Sequence, residues 1–140
     1  MKFSVKVRYG LQAVLELALK QASGKVQISE IAKSQKIPVR YLEQLLLILK
    51  RRGLVSSQRG KEGGYTLAKH PSEISVLEVI EVFEGKIDLG LCPKNKRKAS
   101  VICETFEQAA KALNDSLSEK TIEDLVLRKR QKDRAYIYNI

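Results

Sequence analysis

The chain reads as a mainly α protein with one small β-hairpin, a winged helix-turn-helix plus a long C-terminal dimerisation helix. Three observations predict it. A leucine-rich helix with a basic end, Val39 to Arg52, runs through Gly53 into two short β-compatible stretches. The tip between them, Arg59-Gly60-Lys61-Glu62-Gly63-Gly64, carries an arginine and three glycines. Later, Ile102, Phe106, Ala109, Ala110, Leu113 and Leu117 recur at helical spacing.

Taken in order, Leu11, Val14, Leu15, Ala18 and Leu19 recur at three and four residues, so a first helix is expected over about Ser4 to Ala22. Ser29 is a good N-cap for a short second helix ending near Gln35. Lys36-Ile37 turns the chain, and Pro38 suits the first turn of a third helix, where its missing N–H does no harm. That helix turns Leu42, Leu45, Leu46 and Leu49 inward, and Gly53 fits the position after its cap. Leu54–Gln58 and Tyr65–Leu67 read as the arms of the hairpin.

Ser75-Val-Leu-Glu78 reads as a capping box, with Ile74 and Val79 placed as a hydrophobic staple, and the helix it opens stops at Gly85. Residues 86–100 lack periodicity and hold the basic run Lys94, Lys96, Arg97, Lys98, so they read as a connector. The stripe from Ile102 marks a fifth helix. Thr121 caps a sixth, with Glu123 and Asp124 in its first turn, whose basic end leads to a short tail closing on Tyr138-Asn139-Ile140. The expected organisation is a DNA-binding head over 1–85, a connector over 86–100, and dimerisation helices with a C-terminal tail over 101–140.

The 140 residues, 44% apolar and 30% charged, make an ordinary globule of one domain. No run approaches the ~18 apolar residues of a membrane span. Met-Lys-Phe-Ser-Val-Lys-Val-Arg leads into no signal-type apolar region, so the expectation is a cytoplasmic protein with no membrane partner. The net charge of +10 favours polyanions, of which nucleic acid is the commonest. The charge is also sorted. Lys50, Arg51, Arg52, Arg59, Lys61 and Lys69 stand against the single acid Glu62, whereas Glu73, Glu78, Glu81 and Glu84 make the next stretch acidic.

The chemistry of the motifs follows. The third helix offers Arg40, Tyr41, Glu43, Gln44, Lys50 and Arg51 on its polar face. Gln pairs with adenine, Arg with guanine, and Glu accepts from cytosine N4. Residues near the helix start reach base edges, and the basic end meets phosphates. Arg59 suits a narrow minor groove. Gly60, Gly63 and Gly64 permit close backbone approach and N–H donation to phosphate. Ile102, Phe106, Ala109, Leu113 and Leu117 read as a dimer seam, in keeping with the two-fold symmetry of palindromic sites.

Cys92 and Cys103 bracket the connector. Their spacing is a weak metal signal, a cytosolic disulfide is disfavoured, and two free thiols is the plainest reading. The nearby basic run can favour a thiolate, which leaves a redox role open. His70, the single histidine, has no partner for nucleophilic catalysis. The glycines lack the Lys-Ser/Thr helix start of a P-loop, so no enzyme is indicated.

The chain resembles the Rrf2 family of bacterial transcription regulators over nearly its whole length. The resemblance rests on Arg8-Tyr9-Gly10, Tyr41-Leu42-Glu43-Gln44-Leu45, Gly53-Leu54-Val55, the wing Arg59-Gly60-x-x-Gly63-Gly64-Tyr65-x-Leu67, and Thr121-Ile-x-Asp-Leu125. It implies base reading by Tyr41, Glu43 and Gln44, and a minor-groove arginine at Arg59. One branch of the family holds an iron–sulfur cluster on three connector cysteines. Cys92 and Cys103 match the outer two, but Lys96-Arg97-Lys98 stands in place of the middle one. First-helix ligands used by other members fall near Arg8 and Gln12, both poor ligands. Another branch, the repressors of cysteine metabolism, carries no cluster. Its tail is similar to Arg134–Ile140, which implies partner binding to cysteine synthase through Tyr138, Asn139 and Ile140. The expectation is a homodimeric repressor binding double-stranded DNA with no cofactor. A cluster or thiol sensor and a cysteine synthase adaptor are the alternatives.

Overall fold

Apolar residues spaced three and four apart decide which face of the first helix turns inward. In a computed structural model that describes residues 2–93 and 100–139, α1 (Val5–Leu19) buries Val7, Ala13, Val14, Leu17 and Ala18. It packs against α2 (Ile28–Gln35), α3 (Val39–Arg51), α4 (Val76–Glu84) and α6 (Ile122–Tyr138). Lys36, at a φ of 55°, turns the chain from α2 into α3, and Ile37 is buried beneath the turn. Leu42, Leu45, Leu46 and Leu49 form the buried stripe of α3. Gly53, at a φ of 76°, releases the chain into the wing.

The wing pairs β1 (Val55–Gln58) with β2 (Gly64–Leu67) in antiparallel register, Val55 opposite Leu67 and Gln58 opposite Gly64. A third segment joins it. Val26 and Tyr65 exchange backbone hydrogen bonds of 2.9 and 2.8 Å, which tie the chain before α2 to the wing. A second bridge links Ser75 to Thr121, with Val76 N–H donating to the Lys120 carbonyl and Ile122 N–H to that of Ile74, both at 2.8 Å. It sets the starts of α4 and α6 side by side. Ile122 and Val126 then enter the same core as α1 and α3, so packing crosses the expected break between 1–85 and 101–140. α5 (Val101–Glu119) contains no fully buried residue.

Several local expectations are corrected. α2 starts at Ile28 with Gln27 at its cap, and Ser29 lies inside the first turn. The Val26–Tyr65 bridge ends the extended backbone there and advances the helix start. The hydroxyl of Ser75 accepts from Glu78 N–H, but the box stays half-formed, because the Glu78 carboxylate pairs with Lys69 at 2.8 Å. Thr121 and Asp124 close a reciprocal capping box instead. α6 runs on to Tyr138 where a short tail was expected. No glycine or proline interrupts it, and Lys129 pairs with Asp133 one turn on. Lys94, Lys96, Arg97, Lys98 and Ile140 lie outside the described residues.

Candidate nucleic-acid interface

The stripe that buries Leu42, Leu45, Leu46 and Leu49 leaves the opposite face of α3 to solvent. Arg40, Glu43, Gln44, Leu47, Lys50 and Arg51 are all exposed. Arg40, Glu43, Gln44 and Leu47 follow one another at three and four residues and share one surface strip. Sequence reasoning missed Leu47. The signal was available, since five apolar residues run from Leu45 to Leu49 and one helical stripe cannot bury all of them. Leu47 is 47% exposed.

Between this strip and the wing lies an open groove of about 380 Å³. Glu43, Leu47 and Lys50 line one side, and Ser57, Arg59 and Gly60 the other. Lys50 Nζ donates to Ser57 Oγ at 2.7 Å, which holds the ammonium across the groove. Lys50 thereby stands at the helix–wing junction rather than at the free end of the helix. Arg59 stands at the exposed tip, and Lys25, also missed from sequence, reaches the wing through Gln58. A groove with Lys50 and Arg59 against Glu43 alone suits a polyanion.

The structure gives Tyr41 a packing task. It is half-buried with its ring edge-on to Tyr9 at 5.8 Å between centroids, and the Arg8 guanidinium sits 5.2 Å from the Tyr9 centroid. The stack fixes the start of α3 against α1, so Tyr41 positions the helix that presents Arg40, Glu43 and Gln44.

The glycines of the tip are also explained from within. Gly63 and Gly64 are buried. Gly63 N–H donates to the Gly60 carbonyl at 3.0 Å, so it serves the turn rather than a phosphate. At Gly64, with a φ of 145°, a Cβ would lie 2.7 Å from the Val26 carbonyl oxygen. Gly60 remains exposed at the tip.

A buried polar network braces α1 against α2. Glu16, 5% exposed, is paired with Lys20 at 3.0 Å and accepts from Gln35 at 2.7 Å, and Gln35 in turn accepts from Gln12 at 3.1 Å. Burial pushes the Glu16 carboxyl up. The hydrogen bonds from Lys20, Gln35 and Ser34, with the charge of Lys20, outweigh it and hold the group below its ordinary value.

Cys92 and Cys103, expected as free thiols, are joined in a disulfide with their Cα atoms 5.9 Å apart. The spacing of ten intervening residues gave no hint of this. The segment after α4 folds back along α5 and brings Cys92 to the α5 start. In this bonded state neither sulfur is available as a ligand.

Comparison with known proteins supplies the family. Residues 3–128 match the Rrf2 family model, described as an iron-dependent transcriptional regulator. The chain belongs to the Rrf2 family. It is 35% identical over its full length to the HTH-type transcriptional regulator CymR of Bacillus subtilis, covering all of both chains. The solved structure of that protein, the global cysteine regulator of B. subtilis, superposes with a TM-score of 0.83 at 34% identity, over 91% of this chain and 98% of the other. The HTH-type regulator IscR of Escherichia coli is 42% identical over 66% of this chain and 57% of its own. The structure of T. potens IscR aligns at a TM-score of 0.79 with 36% identity, covering 92% and 88%. The mainly helical fold with its two-stranded wing is that of these regulators. This Rrf2 protein is accordingly a DNA-binding transcriptional regulator rather than an enzyme.

A biological iron–sulfur cluster takes about four protein ligands, chiefly thiolates. This chain has two cysteines and one histidine. Among the described residues no three His, Cys, Asp or Glu side chains gather as a metal site. Gln12 is hydrogen-bonded to Gln35, and Arg8 rests on Tyr9. His70 caps a short 3-10 turn through Ser72. The residues of a single chain do not fit a cluster.

Proposed function

We propose that this Rrf2 protein is a cytoplasmic, homodimeric repressor that reads a palindromic operator. The strip Arg40–Glu43–Gln44–Leu47 faces the major groove in this reading, and Arg59 reaches the adjacent minor groove. The observation that carries it is the groove between α3 and the wing, which sets base-reading side chains and two cations around one concavity. The dimer is supported by the start of α5, where Ile102 and Phe106 are 61% and 41% exposed on an apolar stripe that the described residues nowhere bury fully. Ala109 continues the exposed stripe and Leu113 is half-buried, whereas Leu117, expected in the seam, packs on the cluster of Val7, Val76 and Ile80 within the chain.

The regulated genes in this reading belong to cysteine and sulfur metabolism. Full-length similarity to CymR, the global cysteine regulator of B. subtilis, supports that assignment. Selection of bound duplexes from a random pool tests the core of the proposal. A two-fold symmetric consensus, bound by two chains and lost steeply as salt rises by counterion release, is the expected result. An asymmetric or salt-insensitive product overturns it.

A second reading, as an adaptor for cysteine synthase, is favoured by the end of α6. Tyr136, Ile137 and Tyr138 are all exposed there, and Tyr138 is 87% exposed. With Asn139 and Ile140 they offer an apolar peptide segment to a pocket. Removal of Ile140 is expected to abolish capture of cysteine synthase, and unchanged capture rejects this reading.

A further inference from the structure

We propose that Cys92 and Cys103 are a reversible thiol–disulfide pair that sets how firmly α5 is held to the head, and thereby tunes operator affinity. The inference rests on the DNA-binding reading above and supplies its regulation. Four observations converge. The two sulfurs are bonded across a sequence separation of 11. The chain has no other cysteine, so the pair has no internal competitor. Both residues are only half-buried, within reach of small oxidants and reductants. And among the described residues no group of three His, Cys, Asp or Glu side chains gathers as a metal site.

The position of the bond gives it leverage. Cys92 lies in the segment that follows α4, and Cys103 lies in the first turn of α5, where its N–H donates to Ser100 Oγ at 3.2 Å. The bond closes one end of an open cavity of about 620 Å³, walled by Ile87, Leu89 and Leu91 on one side and by Phe106 and Ala110 on the other. α5 buries no residue fully, so little besides this link restrains its first turn. α5 also carries the dimer stripe. In a two-fold dimer the seat of α5 sets the spacing of the two α3 helices, and half-site spacing is a geometric requirement of operator binding.

The chemistry is balanced with a hydroperoxide as oxidant. One thiolate attacks the peroxide oxygen, giving a sulfenic acid and an alcohol or water. The second thiol then displaces water and forms the S–S bond. Two thiols and one hydroperoxide thus yield one disulfide, one alcohol (or water) and one water. Reduction runs through a mixed disulfide and consumes two small thiols, which leave as their own disulfide. The positive end of the α5 dipole stabilises negative charge on the Cys103 sulfur when the bond opens, so Cys103 is the favoured leaving group. A regulator acting on DNA works where thiols are kept reduced, and disulfides in that setting are usually transient or sensing.

The oxidised form is pre-organised, so it is the tighter binder. The test uses full-length protein in two forms, hydrogen peroxide-treated and dithiothreitol-reduced, with the thiol state read by mass after alkylation. The expected result is roughly tenfold tighter binding of the selected duplex by the oxidised form. Cys92→Ser and Cys103→Ser are expected to bind like the reduced form under both treatments. Equal affinities, tighter binding by reduced protein, or a redox response that persists in either variant overturns the proposal. Amide hydrogen exchange separates its failure from failure of the DNA reading. Faster exchange over 86–93 and 101–106 on reduction supports the tether even if no duplex is bound, whereas equal exchange rejects the tether however tightly DNA binds.

Discussion

The ring of Phe83 lies directly against the Cα of Gly10, where α4 crosses α1. A Cβ on Gly10 would sit 2.7 Å from ring carbon Cζ and closer still to Cε2. This contact explains the glycine of Arg8-Tyr9-Gly10 inside a helix, where glycine is otherwise unfavourable by about 1 kcal/mol relative to alanine. Gly10→Ala is expected to destabilise the fold by about 1–3 kcal/mol, because overpacking exceeds the gain in helix propensity. Thermal melts of Gly10→Ala, Phe83→Leu and the double variant check it. The double variant is expected to be more stable than the sum of the singles implies, and strict additivity counts against the contact.

Glu16 links stability to pH. Its folded carboxyl is held below the ordinary value, so its contribution is complete above the unfolded pKa of about 4.3 and is lost as pH falls through the lowered folded value. Glu84, bonded by the Ser4 N–H, and Asp124, bonded by the Thr121 N–H, are lowered in the same direction. The difference between wild type and Glu16→Gln isolates Glu16. The variant is expected to lose about 1–3 kcal/mol at pH 7 and much less near pH 3. Urea unfolding at both pH values is the measurement, and a pH-independent difference rejects the charged network.

The helices and hairpin were legible because their signals are local. The Leu42–Leu49 stripe, Gly53, the wing glycines and Thr121 each act within a few residues. What was not legible depends on partners far along the chain. Ser29 loses its cap to Gln27 because Val26 pairs with Tyr65. Glu78 leaves its capping box for Lys69. The packing of Tyr41 against Tyr9 and the reach of Lys50 to Ser57 also depend on distant partners. The Cys92–Cys103 bond likewise needs the fold to bring its ends together. Leu47 is the exception, a site residue that helical phase alone could have exposed.

Arg59 and Leu47 separate two kinds of DNA contact. Arg59→Ala is expected to weaken operator binding roughly tenfold and to reduce the salt slope by about one, with the dimer intact. Leu47 is expected to meet a thymine methyl, the apolar mark of the major groove. Replacing thymines of the operator by uracil one at a time is then expected to weaken wild type about fourfold at one position, the value of roughly one buried methyl. Leu47→Ala is expected to be indifferent there. Equal uracil sensitivity in both proteins rejects the contact.

Phe106 tests the α5 seam. A charge in the centre of an apolar interface has no partner and opposes association. Phe106→Asp is expected to sediment as a monomer with the melting temperature of its head little changed, since α5 contributes no fully buried residue to the core. Operator affinity is expected to fall by more than tenfold as the second half-site is lost. A dimer that persists moves the interface elsewhere.

Iron content decides between a thiol pair and a cluster. Protein purified without oxygen is expected to contain no stoichiometric iron or sulfide and to show no visible absorbance, before or after reconstitution. The reason is the donor count: two cysteines in each chain fall short of the roughly four ligands a cluster takes. Stoichiometric iron would require the dimer to assemble one site from the Cys92 and Cys103 thiolates of both chains. Cys92→Ser would then abolish colour, and the bond seen here would be the state left after the cluster is gone. Colourless protein with two alkylatable thiols when reduced and none when oxidised leaves the disulfide as the working chemistry of this pair.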